Sequence, residues 1–377
     1  MKILLPWYRY PPFDKTSVGG LSVAIWDLCN SIQDSKFSLE ILCPQLDGPE
    51  EVIDSAGTVV LKNAVGTKLL HNRKLEGRDL EFLKGYDWIF SVNNFGARSI
   101  SGIKEKVVRQ IHTVAHDRPV SSYASLDGGF LEYLRMTIQR QREMSQESTL
   151  SGTRTICVSK YNLSKMIDRK LELETNLEHI PNGIDTLLFR PTGKEKKYDI
   201  IFIGRFQKLK GLDILLRAVS ILQPKDKRPK LAIVGNFTDR QKEFCKRLVP
   251  SECRESLAFV GTIPHEQVPD LINGSKILVA PSRYESFSLP TLEAQACGIP
   301  VVATPVGGIP ELLDQNTGIL MKSIEDAKEL AQAIDHALND NSLQEKALKF
   351  GPARAKYCNL PTMSQRLKDF LSSVEAH

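Results

Sequence analysis

No stretch of the 377-residue sequence approaches the roughly 18 consecutive apolar residues that a membrane-spanning helix needs, so nothing in it is expected to cross a bilayer. The N-terminus lacks both an apolar signal core and a small-residue cleavage site. It starts at once on a strand-like run, Lys2-Ile3-Leu4-Leu5, which implies a cytoplasmic protein. Cysteine is sparse and scattered. None of Cys29, Cys43, Cys157, Cys245, Cys253, Cys297 and Cys358 forms a Cys-x-x-Cys pair, which argues against a zinc ribbon or a dithiol redox site. Their odd number and mostly apolar neighbours read as reduced, buried thiols. There is no long Lys/Arg run and no basic–aromatic array. With a net charge of only +5, nucleic acid is not an expected partner, whereas anionic substrates or an anionic surface are compatible. Short-period repeats and low-complexity segments are missing too.

What remains is ordinary globular composition, 41% hydrophobic and 25% charged. The chain is too long for one ordinary core and comfortable for two of roughly 150–200 residues each. Apolar runs at Ile3–Leu5, Ser38–Cys43, Trp88–Val92, Val107–Ile111 and Thr155–Val158 read as strands. Leu21, Ile25, Leu28 and Ile32 share one helical face, and further helices are expected near Leu75–Lys84, Phe130–Thr149 and Tyr161–Leu171. Continuous apolar runs mark parallel strands covered on both faces, and their alternation with helices implies a doubly wound sheet. The rhythm stops at Pro181-Asn182-Gly183-Ile184-Asp185 and crosses a polar stretch. It restarts with strands at Asp199–Ile203, Leu231–Val234, Ala258–Val260, Ile277–Ala280, Val301–Ala303 and Gly318–Met321. The expectation is two Rossmann-like α/β domains, 1–188 and 198–359, with a linker at 189–197. A last amphipathic helix, about 360–377 and carrying Leu367, Phe370 and Leu371, should pack back on the first. Two such sheets put a cleft between their carboxyl ends, where nucleotides and other phosphorylated ligands bind.

Three segments carry chemistry into that cleft. Ser17-Val18-Gly19-Gly20 opens the first helix, where glycines let a ligand approach the backbone and a helix N-terminus offers N–H groups to phosphate. It is not the six-residue dinucleotide fingerprint, so nicotinamide chemistry is disfavoured. Gly204-Arg205-Phe206-Gln207-Lys208-Leu209-Lys210-Gly211 follows the first strand of the second unit, and Arg205 with Lys210 could clamp a diphosphate. Alternatively it is a solvated basic turn. Ser282 to Ala294 places Glu285 in a loop before a helix starting near Leu289, with Pro290 in the first turn and Glu293 one turn inside. Carboxylates accept from sugar hydroxyls, and the N–H groups of Ser286, Phe287, Ser288 and Leu289 could receive phosphate oxygens. An exposed helix acid is the default for any Glu, but the small apolar Ala294, Ala296 and Cys297 suggest that this helix is buried. His112, directly after the strand Val107–Ile111, is preferred over His116 as a further cleft residue. A zinc-protease helix would need Glu beside the first histidine, where Thr113 stands.

Glu285 and Glu293, separated by seven residues, match the E-x7-E signature of the retaining glycosyltransferases of family 4, which have the GT-B fold. Residues 298–311, Pro181 to Asp185, Gly204-Arg205 with Lys210-Gly211, and Gly19-Gly20 resemble the same family in order, most strongly from about 180 to 320. The resemblance implies that Gly19 and Gly20 approach the donor phosphates and that Arg205 and Lys210 neutralise the departing diphosphate. It implies that Glu285 binds sugar hydroxyls, Glu293 the ribose hydroxyls, and His112 the donor sugar. Ser286 and Ser288 stand where relatives often carry glycine, which leaves donor preference open. Many other glycosyltransferases hold a metal through Asp-x-Asp; none occurs here, so no metal or other cofactor is expected and cationic side chains would take its part. The expected donor is UDP-glucose or another UDP-hexose, with GDP-mannose the alternative, and the acceptor a saccharide or a lipid-linked one. The basic residues Lys104, Lys106, Arg109, Arg118, Arg135, Arg140 and Arg142 suggest either peripheral membrane contact through the first domain or an ordinary solvated face. A sugar-nucleotide epimerase, a phosphorylase or an inactive sugar-nucleotide-binding subunit are the competing readings; the first two lack matching signatures here.

Overall fold

The computed structural model describes residues 1–6, 20–43, 51–53, 59–61, 65, 68–69, 73–117, 130–222 and 228–373. Among them the first unit contains β1 (Lys2–Pro6), β2 (Ser38–Leu42), β3 (Glu51–Ile53), β4 (Val59–Leu61), β5 (Trp88–Val92), β6 (Val107–Ile111), β7 (Arg154–Cys157) and β8 (Leu177–His179). They form one sheet in the order β3-β4-β2-β1-β5-β6-β7-β8, parallel except for the β3–β4 pair. The second unit contains β9 (Tyr198–Ile203), β10 (Leu231–Val234), β11 (Leu257–Gly261), β12 (Ser275–Ala280), β13 (Val301–Ala303) and β14 (Gly318–Leu320), an all-parallel sheet in the order β11-β10-β9-β12-β13-β14. These are the two Rossmann-like sheets that a GT-B chain requires.

The apolar runs fold this way because helices cover the sheets. Every residue of β5 and β6 is buried, including Trp88 and Phe90, each at 1% exposure. Sequestering one such side chain contributes about 1.5–3 kcal/mol. Arg109, read from sequence as a surface cation, is the exception that the sheet explains. It sits in mid-β6 at 0% exposure, and its guanidinium donates to Glu172 (2.6 Å), Thr155 Oγ1 (2.9 Å) and the Glu147 carbonyl (3.1 Å). It therefore offers nothing to a membrane; Arg118 lies outside the described residues. No helix among the described residues is long and apolar enough to cross a bilayer.

The helix Phe130–Thr149 has the expected span, whereas the one expected from Leu75 begins only at Arg78, after Gly77. All seven cysteines are free, and Cys358 alone is not fully buried. Near residues 181–198 the chain leaves the first unit. Asn273 on the second unit pins it there, its Oδ1 accepting from Thr192 N (3.0 Å) and its Nδ2 donating to Arg190 O (3.0 Å). The helix Leu360–Ser372 returns to the first unit. Asn359 caps it by accepting from Thr362 N (2.8 Å), and Met363, Leu367, Phe370 and Leu371 bury beside Ile25, Leu28 and Ile32. A second apolar cluster joins the units, combining Ala24 and Val158 with Phe287, Leu289, Val306 and Ile309.

Candidate active site

A cavity of about 490 Å³ lies between the two sheets. Its walls are built by one rule: Asn93 follows β5, His112 and Thr113 follow β6, and Val158 follows β7. In the other sheet Gly204 and Arg205 follow β9, Gly235 and Asn236 follow β10, Thr262 and Ile263 follow β11, and Tyr284 to Pro290 come after β12. Parallel strands point their carboxyl ends the same way, so loops far apart in sequence converge where strand order reverses, here at β9 between β10 and β12.

The β9 loop ends in a single 3-10 turn, Lys208–Lys210, and Gly211 starts the helix Leu212–Ile221. Gly211 has φ 69°, and a Cβ there would stand 1.8 Å from the Pro281 carbonyl oxygen, so this loop can lie against the β12 loop only with glycine. Arg283 laces the two loops together. Its backbone N–H donates to Leu209 O (2.7 Å), and its guanidinium donates to Lys208 O (2.6 Å), to both Asp213 oxygens (2.7 and 2.8 Å) and to Glu325 (2.5 and 2.9 Å). Within that frame Lys210 Nζ lies 2.5 Å from Glu285 Oε2, while Glu285 Oε1 accepts from Ser286 N (3.2 Å). Arg205 is exposed and lines the same cavity.

Glu285 is held from behind by Gly307, where φ is 57° and a Cβ would fall 1.3 Å from the Glu285 carbonyl oxygen. Ser288 takes a left-handed conformation, φ 80°, just before the helix Leu289–Ala296, with its hydroxyl 2.8 Å from Thr291 Oγ1. Left-handed backbone costs a non-glycine residue about 1–2 kcal/mol, and the buried hydroxyl pair offsets part of it. Glu293 lies one turn inside, at 4% exposure, with Oε1 3.2 Å from His265 Nε2.

On the opposite wall, the His112 and Thr113 N–H groups donate to Asn93 Oδ1 (2.8 and 3.1 Å). Asn93 itself holds a left-handed turn, φ 47°. Burial pushes the His112 imidazole down to about 3, so it is neutral, and its Nε2 has no partner among the described residues. The Ser286 hydroxyl and the Asn182 side-chain oxygen are likewise buried and unpartnered on the cavity wall. Such atoms cost stability unless a ligand hydrogen-bonds them.

Residues 184–354 match the family described as glycosyl transferases group 1. The chain is a glycosyltransferase. Over 404 aligned residues, covering 95% of this chain and 88% of its relative, the enzyme is 26% identical to a D-inositol 3-phosphate glycosyltransferase of Salinispora arenicola. Its fold is similar to that of a sucrose-phosphate synthase from Thermosynechococcus elongatus, with a TM-score of 0.78, 19% identity, and 99% and 98% of the two chains covered. It is similar also to Anabaena HepE in complex with UDP-glucose, with a TM-score of 0.72, 18% identity, and 99% and 100% covered. At such identities these structures establish the GT-B architecture.

Of the residues expected at the glycosyltransferase site, His112, Arg205, Lys210, Glu285, Ser286, Phe287, Ser288, Leu289 and Glu293 all line the cavity. Gly19 lies outside the described residues, and Gly20 is the first residue of the helix Gly20–Ile32. His116 turns away to Glu147, Nδ1 to Oε2 2.6 Å. Sequence reasoning missed His265, Arg283 and Asn93. The Asn93-Asn94 pair directly after a buried strand was a usable signal, since asparagine tolerates left-handed turns. It also missed Glu311, whose carboxylate crosses between the units to accept from Lys160 N (2.9 Å) and Tyr161 N (2.8 Å), at the N-terminus of the helix Lys160–Asp168.

Proposed function

We propose that this glycosyltransferase is a retaining, metal-independent hexosyltransferase that takes its sugar from UDP-glucose or another UDP-hexose and passes it to a saccharide or lipid-linked acceptor. The observation that carries the reading is the meeting of Lys210 and Glu285, 2.5 Å apart, on a cavity that Arg205, His112 and Glu293 also line. An ammonium beside a carboxylate offers a cation to a diphosphate and an acceptor to a sugar hydroxyl side by side, which supports this reading. As the bond from C1 to the phosphate oxygen breaks, charge grows on the diphosphate. Arg205, Lys210 and the N-terminus of the helix Leu289–Ala296 line the cavity and would meet that charge, and donors aimed at developing charge are worth more in the transition state than in the ground state. They do the work of a divalent cation. The acceptor oxygen bonds to C1 on the face that the phosphate leaves, and its proton passes to the departing phosphate oxygen. Neutral His112 and Glu285 hold the sugar. UDP is favoured as the nucleotide because HepE, whose fold this enzyme shares, was solved with UDP-glucose.

Labelled UDP-glucose, UDP-galactose and GDP-mannose, offered with oligosaccharide and polyprenol-linked acceptors with and without EDTA, test the proposal. Transfer from a UDP-hexose with the α-anomeric configuration kept, indifferent to EDTA, is expected. Lys210→Ala should lower kcat/KM by at least about 100-fold, the usual cost of one preorganised donor. Unchanged turnover in that variant, an inverted product, or activity abolished by EDTA and restored by a divalent ion would overturn the corresponding part.

A further inference from the structure

Glu293 stands on a helix whose other residues Leu292, Ala294 and Ala296 are at 1%, 0% and 1% exposure. A carboxylate in such surroundings needs a donor, because an unpaired buried charge is expelled or neutralised. Lys210 pairs with Glu285 and not with Glu293. Among the described residues the single side-chain partner of Glu293 is His265, through Oε1, and Oε2 has none. His265 is itself fixed. It begins a one-turn 3-10 segment after Pro264, and its ring packs at 5.2 Å on that of Phe189, which is buried. His265 and Glu293 both line the cavity, on the side formed by Thr262 and Ile263.

We infer that His265 is a positioning residue that holds the Glu293 carboxylate in the orientation in which its second oxygen accepts from the ribose hydroxyls of the donor nucleotide. The inference rests on the reading of Glu293 as the ribose contact. The charges around the pair agree with it. Burial works against a charged imidazole, but the Glu293 hydrogen bond and the charges of Glu293, Asp27 and Glu266 outweigh it and hold His265 above its ordinary pKa. Without the imidazole, the buried Glu293 carboxylate would lose its side-chain partner beside a second acid, Asp27, and would turn aside.

Discrimination between ribose and 2′-deoxyribose, or 3′-deoxyribose, isolates this contact from the rest of the site. Calorimetry gives Kd for UDP and its deoxy forms, and for GDP and its deoxy forms, with wild type, His265→Gln and His265→Leu. A hydrogen bond to a charged acceptor should make wild type prefer the ribose form by about tenfold or more. His265→Gln, which keeps a donor, should retain most of that preference. His265→Leu, which keeps volume but no donor, should reduce it to within about threefold. His265→Asn, too short to span the gap, gives the same reading where the leucine variant does not fold. Wild type with no ribose preference would sink the reading of Glu293. A wild-type preference that survives intact in His265→Leu or His265→Asn would sink the inference about His265 alone.

Discussion

The fold raises the pKa of Asp27, on the helix Gly20–Ile32: burial first, then the nearby Glu293 and Asp185 carboxylates, lift it from 3.8 to about 7 against the opposing pull of His265. The folded chain therefore keeps this proton where the unfolded chain has lost it. The contribution to stability is complete below about pH 3.8, drains away as pH rises towards 7, and is flat above. Between pH 5 and pH 7 the two states differ over about two pH units. At about 1.4 kcal/mol per unit, wild type should lose roughly 3 kcal/mol on this account. Asp27→Asn has the same shape and no proton to lose. Urea unfolding of both proteins, followed by tryptophan fluorescence at pH 5 and pH 8, cancels every other titration that the two share. The stability of Asp27→Asn relative to wild type should improve by roughly 3 kcal/mol from the lower pH to the higher. A difference that stays constant across that range would show that Asp27 ionises normally in the folded chain.

Replacing Gly307 by alanine drives a methyl into the Glu285 carbonyl, 1.3 Å from the ideal Cβ; nucleotide-induced thermal stabilisation should vanish, and a wild-type shift with UDP would refute the coupling of these two segments. Glu172→Ala strands the Arg109 guanidinium in a sheet interior and should cost about 3–5 kcal/mol in urea unfolding, whereas the double change of both residues to methionine should recover most of it. Glu311→Ala removes an anion from the N-terminus of the helix Lys160–Asp168, across the junction of the two units; a loss of about 1–2 kcal/mol is expected, smaller in high salt, and no loss would mean the contact is dispensable.

Local features of this fold were readable from sequence and long-range ones were not. β5, β6, β10 and β13 announce themselves because a strand covered on both faces is an unbroken apolar run. β3, β4 and β8 were overlooked; each is three residues long, and Leu177-Glu178-His179 is interrupted by polar groups. The lining residues after β6, β9 and β12 were accessible because each follows its strand within a few positions, so strand ends locate them. His265 was not, since its meaning lies in a contact with a residue 28 positions away. Asp27 was not, since its neighbours His265 and Glu293 belong to the other sheet's unit. Arg109 was misread for the opposite reason. Counted among cations it suggests a surface, but a charge in the middle of Val107-Val108-Arg109-Gln110-Ile111, on a strand flanked by β5 and β7, can persist only with an acid beside it.

The chain passes between its halves twice, and the two passages touch. Ile184 N donates to Cys358 O (3.0 Å), Leu360 N donates to Ile184 O (3.1 Å), and Gly183 is so close that a side chain there would press on the Asn359 carbonyl at 3.0 Å. A body joined at one point can swivel in any direction; two strands bonded side by side resist twisting and leave bending across their line as the soft motion. Opening of the cleft would then follow one arc, carrying His112 away from Lys210 and Glu285 and back to the same register.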